Sequence, residues 1–159
     1  MINIAIYILL SLQTSIETQI ETMNKRMEEA FNAGDMLKVA QFYADDAVLL
    51  GPDGRQVIGR EDIDAYWQNI QNPISWELDV IAVSTEERDI YENAYYKALE
   101  NGLPKWRVLG HEFDNRKNLV YQLGHSTLKT KRGTSEVDFI LIGQATDDGY
   151  KILLDTYSP

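Results

Sequence analysis

The sequence predicts an α+β domain in which N-terminal helices wrap a strongly curved, mostly antiparallel sheet. Apolar residues recur every three to four positions across residues 15–67, which is the helical period. After Pro73 the pattern changes to period two, and the late apolar runs are joined by short polar connections at 114–118, 131–135 and 146–149. The third observation is size: 159 residues, 44 % of them hydrophobic and 25 % charged, make one domain with a core of its own.

In chain order, Ile16, Ile20, Met23, Met27, Ala30 and Phe31 form one face of a helix over 15–32. Gly34 supplies the left-handed residue that ends it, and Asp35 caps a second helix whose buried stripe is Val39, Phe42 and Tyr43. Asp45 and Asp46 end that helix and lead into a strand over 47–50. Pro52-Asp53-Gly54 then makes a turn into a short strand over 55–58. Glu61 and Asp62 suit the positive end of a third helix presenting Ile63, Tyr66 and Trp67. Trp76, Leu78, Val80 and Ala82 alternate along a strand. A helix follows over 86–102, and then strands over 106–113, 119–130, 136–145 and 150–157. Helices first and a meander afterwards is an α+β layout.

Net charge −10 repels phosphate backbones and anionic surfaces, so neither nucleic acid nor membrane is an expected partner. The absence of cysteine removes disulfides, thiol nucleophiles and thiolate-held metals. His111 and His125 are not at metal-site spacing, and no phosphate loop, dinucleotide fingerprint or nucleophile elbow is present, so no metal or cofactor is expected. Residues 1–14 read either as an apolar arm packed on the domain or as the core of a secretory signal without its positive n-region. A cytoplasmic location follows from the first reading, a secreted or periplasmic one from the second.

Four short motifs in order, Phe31-Asn32-Ala33-Gly34-Asp35, Tyr43-Ala44-Asp45-Asp46-Ala47, Pro52-Asp53-Gly54 and Gly59-Arg60-Glu61, resemble the nuclear-transport-factor-2-like superfamily, especially its SnoaL-like and steroid-isomerase-like branches. The ending Asp148-Gly149-Tyr150-Lys151-Ile152 with Asp155 is similar to the same group. The resemblance makes 15–159 a single SnoaL-like domain with a helix and strand inserted at about 87–118. It implies a cone-shaped, cystatin-like sheet around a cavity, in a homodimer. It also implies where isomerase chemistry would sit, and those three positions are Gly51, Met27 and Leu141, which neither accept a proton nor donate to an oxyanion. Steroid isomerisation by that route is excluded.

The resemblance places Tyr43 and Trp67 among ligand-contacting aromatics. Strand alternation assigns Val137, Phe139 and Leu141, and then Ile152, Leu154 and Thr156, to the cavity side. Met27 and Leu49 complete the expected ligand-binding set. The opposite faces, with Ile140, Ile142 and Leu153, are apolar enough to pack on a second copy. His125 shares a strand face with Tyr121, Leu123 and Thr127. If that face lines the cavity, His125 is a ligand contact and the candidate general acid or base, assisted by Tyr43; otherwise it is a hydrogen-bonded structural histidine. Asp46 and Asp155 read as capping or strand-end residues, and His111 as a rim or surface residue. The expected function is binding of a small hydrophobic or aromatic molecule. The alternatives are a cofactor-independent isomerase, cyclase or dehydratase using His125, and a dimerisation module without a ligand.

Overall fold

The computed structural model describes residues 15–100, 113 and 115–159. The 1–14 segment, His111, the close of the helix over 86–102 and nearly all of the strand expected over 106–113 lie outside the described residues. The elements are α1 (Ile16–Asn32), α2 (Met36–Ala40), β1 (Tyr43–Leu50), β2 (Gln56–Ile58), α3 (Gly59–Gln68), β3 (Pro73–Ser84), α4 (Glu87–Glu92), α5 (Ala94–Leu99), β4 (Leu119–Thr130), β5 (Gly133–Thr146) and β6 (Gly149–Ser158).

Ser15 caps α1, its hydroxyl accepting from Thr18 N at 3.2 Å, and Ile20, Met23, Met27, Ala30 and Phe31 are all buried as the period predicts. Gly34 takes φ +76°, and Asp35 caps α2 through Lys38 N. The second helix is shorter than expected. It ends at Ala40, and Tyr43 with the two aspartates belongs to β1. Arg60 explains the early stop: its guanidinium donates to Ala40 O at 2.6 Å and Tyr43 O at 3.0 Å, while Phe42 O accepts from Ile152 N of β6. The helix expected over 86–102 is also divided. Asn93 leaves the helical region (ψ 131°) and its side chain caps α5 through Tyr95 N.

Six strands form one sheet in the order β2-β1-β6-β5-β4-β3, antiparallel throughout except for the parallel β1–β6 pair. β3 is a sheet edge, and α1 lies along it. Glu28 accepts from Leu78 N at 2.7 Å and Asn32 from Trp76 N at 3.0 Å, which occupies edge donors that would otherwise be open to another strand. Burial lifts the Glu28 pKa above its ordinary value, partly offset by the Leu78 amide.

Two one-residue bulges decide which side chains face which way. Between β5 and β6, Gly143 pairs Ile152 but Ile142 pairs Leu154, so Leu153 is the extra residue. Ile152 therefore packs in the inner cluster, while Leu154 joins Val48, Ile140 and Ile142 in the outer one. The assignment of Leu154 and Thr156 to the cavity side is corrected accordingly: beyond the bulge, Asp155 and Tyr157 face inward. In β3, Ile81 is the extra residue between Val80 and Ala82, so Ala82 packs outward although it alternates in sequence with Trp76 and Leu78.

The outer face was expected to carry a partner copy. Here the chain covers it with its own residues: Ile90, Tyr95, Tyr96, Leu99 and Phe113 pack against Leu123, Ile140, Ile142 and Leu153, all four of which are fully buried or nearly so. Ile140, Ile142 and Leu153, on which the expected dimer contact rested, are thus already covered within one chain.

Candidate functional site

The concave inner face, closed over by α1 and α3, holds a cavity of about 210 Å³. Its wall is Met27 from α1, Tyr66, Trp67 and Ile70 from or just after α3, Tyr43 and Leu49 from β1, and inward residues of β3 to β6. Of the expected ligand-binding residues, Met27, Tyr43, Leu49, Trp67, Phe139 and Leu141 line it, and Val137 with them. Leu154 and Thr156 lie behind the sheet.

Six aromatic side chains, Tyr43, Tyr66, Trp67, Trp76, Phe139 and Tyr157, stand in the wall. Trp67 sits at the centre of a cluster, with ring centroids 5.1 Å from Trp76, 5.6 Å from Tyr66, 6.0 Å from Tyr43 and 6.5 Å from Phe31. Trp76 is fixed by its indole N–H, which donates to Ser126 Oγ at 2.9 Å. Gly124 makes room for Phe139, its cross-strand partner: a Cβ there would lie 2.5 Å from the Phe139 ring and from Asp79 O.

The polar feature of this apolar wall is Asp155. Its Oδ2 accepts from the Tyr43 hydroxyl at 2.6 Å, and its Oδ1 has no hydrogen-bond partner among the described residues. Burial pushes the Asp155 pKa up to about 6, and the Tyr43 hydrogen bond offsets part of that rise. Tyr43 in turn is raised well above an ordinary phenol, first by burial and then by the Asp155 charge and hydrogen bond. The Trp67 indole N–H, turned toward it without completing a hydrogen bond, pulls slightly the other way. Tyr66 is raised strongly by burial and by the facing Tyr157 hydroxyl. At neutral pH the arrangement is thus one carboxyl near its titration point, held by a phenol that stays protonated, inside an aromatic wall.

Asp155 is the cavity-lining candidate that sequence reasoning passed over as a strand-end hydrogen bonder. The available signal was an acid within the apolar run Ile152-Leu153-Leu154-Asp155, but alternation turned it outward. It lies directly across from Leu141, the position that the resemblance matches approximately to a carboxyl of the steroid isomerases. The other two isomerase positions also border the site: Met27 lines the cavity, and a Cβ on Gly51 would lie 3.5 Å from the Tyr157 hydroxyl.

His125 is on the other side of the sheet. Ser126 and Leu128 are the β4 residues that line the cavity, and no bulge interrupts the β4–β5 ladder, so His125 must point outward. There Nδ1 sits 3.1 Å from Asp138 Oδ1, which also accepts from the Tyr95 hydroxyl at 2.6 Å. The hydrogen bond to Asp138, with burial, pushes the Tyr95 pKa up to about 12. This trio ties α5 to the sheet, and the proposed role of His125 as the cavity's acid or base is corrected by its geometry. Asp46 lies in β1 and pairs with Arg116, away from the cavity. Among the described residues no three His, Asp or Glu side chains converge as metal ligands, and no helix is long and apolar enough to cross a membrane.

Comparison with known proteins agrees on the fold. A nuclear-transport-factor-2-like protein of unknown function from Shewanella oneidensis MR-1 superposes with a TM-score of 0.61 at 19 % identity, covering 89 % of this chain and 97 % of that one. A domain of unknown function with a cystatin-like fold from Nostoc punctiforme gives 0.60 at 16 % identity, covering 92 % and 78 %. A protein described as a putative aromatic ring hydroxylase from Novosphingobium aromaticivorans gives 0.57 at 15 % identity, covering 92 % and 91 %. No curated protein sequence matches the chain significantly. The sequence profile of the SnoaL-like domain matches residues 24–143, which reach from α1 into β5, and with the fold shared with a nuclear-transport-factor-2-like protein the chain belongs to the SnoaL-like domain family.

Proposed function

We propose that the protein binds a small apolar or aromatic molecule in the inner cavity, with Asp155 and Tyr43 as its polar anchor. The observation that carries this reading is the cavity wall itself: about 210 Å³ bordered by aromatic and aliphatic side chains around a single carboxyl. A dry, apolar cavity of about 150 Å³ already accepts benzene, so this one has room for one ring with a short substituent. Fold membership supports ligand binding as a class without naming the ligand.

A second reading is proton-transfer chemistry, favoured by a carboxyl held at about 6 beside the protonated Tyr43 hydroxyl. Asp155 takes the role that His125 would have had, because it faces the cavity. Binding is tested by isothermal titration of a panel of single-ring compounds against the wild type and Val137→Phe, which fills the cavity from β5. Saturable one-to-one binding lost in the variant supports the reading. No binding at millimolar ligand, or equal binding by both proteins, removes it.

A further inference from the structure

The chemistry of the wall narrows the ligand class further, resting on the cavity reading above. Tyr43, Tyr66, Trp67, Trp76, Phe139 and Tyr157 all border the cavity, and among the described residues no lysine, arginine or histidine does. Aromatic faces carry negative potential and attract a cation placed over them. Within the same wall stands one carboxyl whose Oδ2 is engaged by Tyr43 and whose Oδ1 accepts from no described residue. A lone acid among aromatic faces, with one acceptor unspent and no countercharge in reach, is the complement of an organic cation. We propose that the ligand is a small arylalkyl or alkyl amine bound as its ammonium ion, the N–H groups donating to Asp155 Oδ1 and the apolar part against the aromatic wall.

The neutral and anionic alternatives fit less well. The Tyr43 hydroxyl is spent on Asp155 and the Trp76 indole N–H on Ser126, while the one uncommitted indole N–H, that of Trp67, is buried and turned toward Tyr43. An anion would meet Asp155 with no cation to offset it. The charged and titratable groups facing Asp155 are Tyr43 from β1, Tyr66 from α3 and Tyr157 from β6. From β5 the facing residue is Leu141, and α1 contributes Met27. Arg55, in the loop after β1, is felt at Tyr66 but is exposed and paired with Asp53. The protein's net charge of −10 favours approach of a cation as well.

Charge pairing gives the proposal its pH signature. Burial holds the empty-cavity Asp155 at about 6, and an ammonium ion beside it favours the ionised form, so amine binding strengthens as pH rises through 6 and weakens below it. The test compares benzylamine with benzyl alcohol, which have nearly the same shape and differ in charge, by isothermal titration at about pH 7.5 and about pH 5. At the higher pH the amine is expected to bind at least about tenfold more tightly than the alcohol. At the lower pH that ratio should fall to about threefold or less, and Asp155→Asn should bring it near one at both. Thermal unfolding of the variant verifies that it folds. If the alcohol binds as tightly as the amine at about pH 7.5, or the ratio survives in Asp155→Asn, the amine proposal is overturned while the cavity reading stands. If neither compound binds the wild type, both are overturned.

Discussion

Replacing Asp155 by asparagine isolates the energetic consequence of a carboxyl in an aromatic cavity. The folded-state pKa of about 6 lies above the ordinary 3.8. A raised carboxyl binds its proton more tightly in the folded chain, so its stabilising contribution is complete below the unfolded pKa and is lost as pH rises through the folded one. The full window corresponds to about 3 kcal/mol, a ceiling because Asp155 is only half-buried by accessible surface and water can enter the cavity beside it. On going from about pH 8 to about pH 5 the wild type should gain about 1.4 kcal/mol from this group, and Asp155→Asn should not. Asparagine keeps an oxygen for the Tyr43 hydroxyl, so the hydrogen bond survives the change. Glu28, which is also raised, is present in both proteins and cancels in the comparison. Urea unfolding at several pH values reads the difference directly. Parallel stability curves would refute the reasoning. So would a wild type that gains on the variant as pH rises, since that is the sign of a depressed carboxyl.

Other consequences follow from particular contacts. Gly124→Ala should destabilise the fold by about 1–3 kcal/mol, because the new Cβ meets the Phe139 ring and Asp79 O, and Phe139→Leu should restore part of the loss in the double variant. Tyr43→Phe removes the hydrogen bond that holds down the Asp155 pKa, so the midpoint of the pH-dependent stability difference should move upward from about 6. Ile90→Ala on the outer face should cost about 2–5 kcal/mol and expose sheet surface, measured by chemical unfolding and by light scattering for self-association.

Most of the fold was legible because it rests on periodicity and on local caps. Gly34 and Asp35 do in the structure what their residue types announce, and the late strands hairpin where the polar connections stand. Legibility failed where non-local contacts reset a local pattern. The second helix stops early because Arg60, seventeen residues beyond Tyr43, draws the Ala40 and Tyr43 carbonyls. Asp155 was assigned to the wrong face because alternation assumes an unbroken strand, and the bulge at Leu153 has no marker such as glycine in Ile152-Leu153-Leu154. One residue of slip exchanged Leu154 and Thr156 for Asp155 and Tyr157, and with them an apolar wall for one that carries an acid. His125 drew attention as a titratable residue amid apolar neighbours, yet β4 keeps its phase and turns it outward to Asp138.

Carbon-13 methyl resonances of the methionines test the cavity most directly. Met27 lines it, whereas Met36 is buried in the core away from it. Titration with a single-ring ligand should move the Met27 methyl signal saturably and leave that of Met36 in place. A Met27 signal that stays fixed while the ligand demonstrably binds would place the site elsewhere and contradict the account.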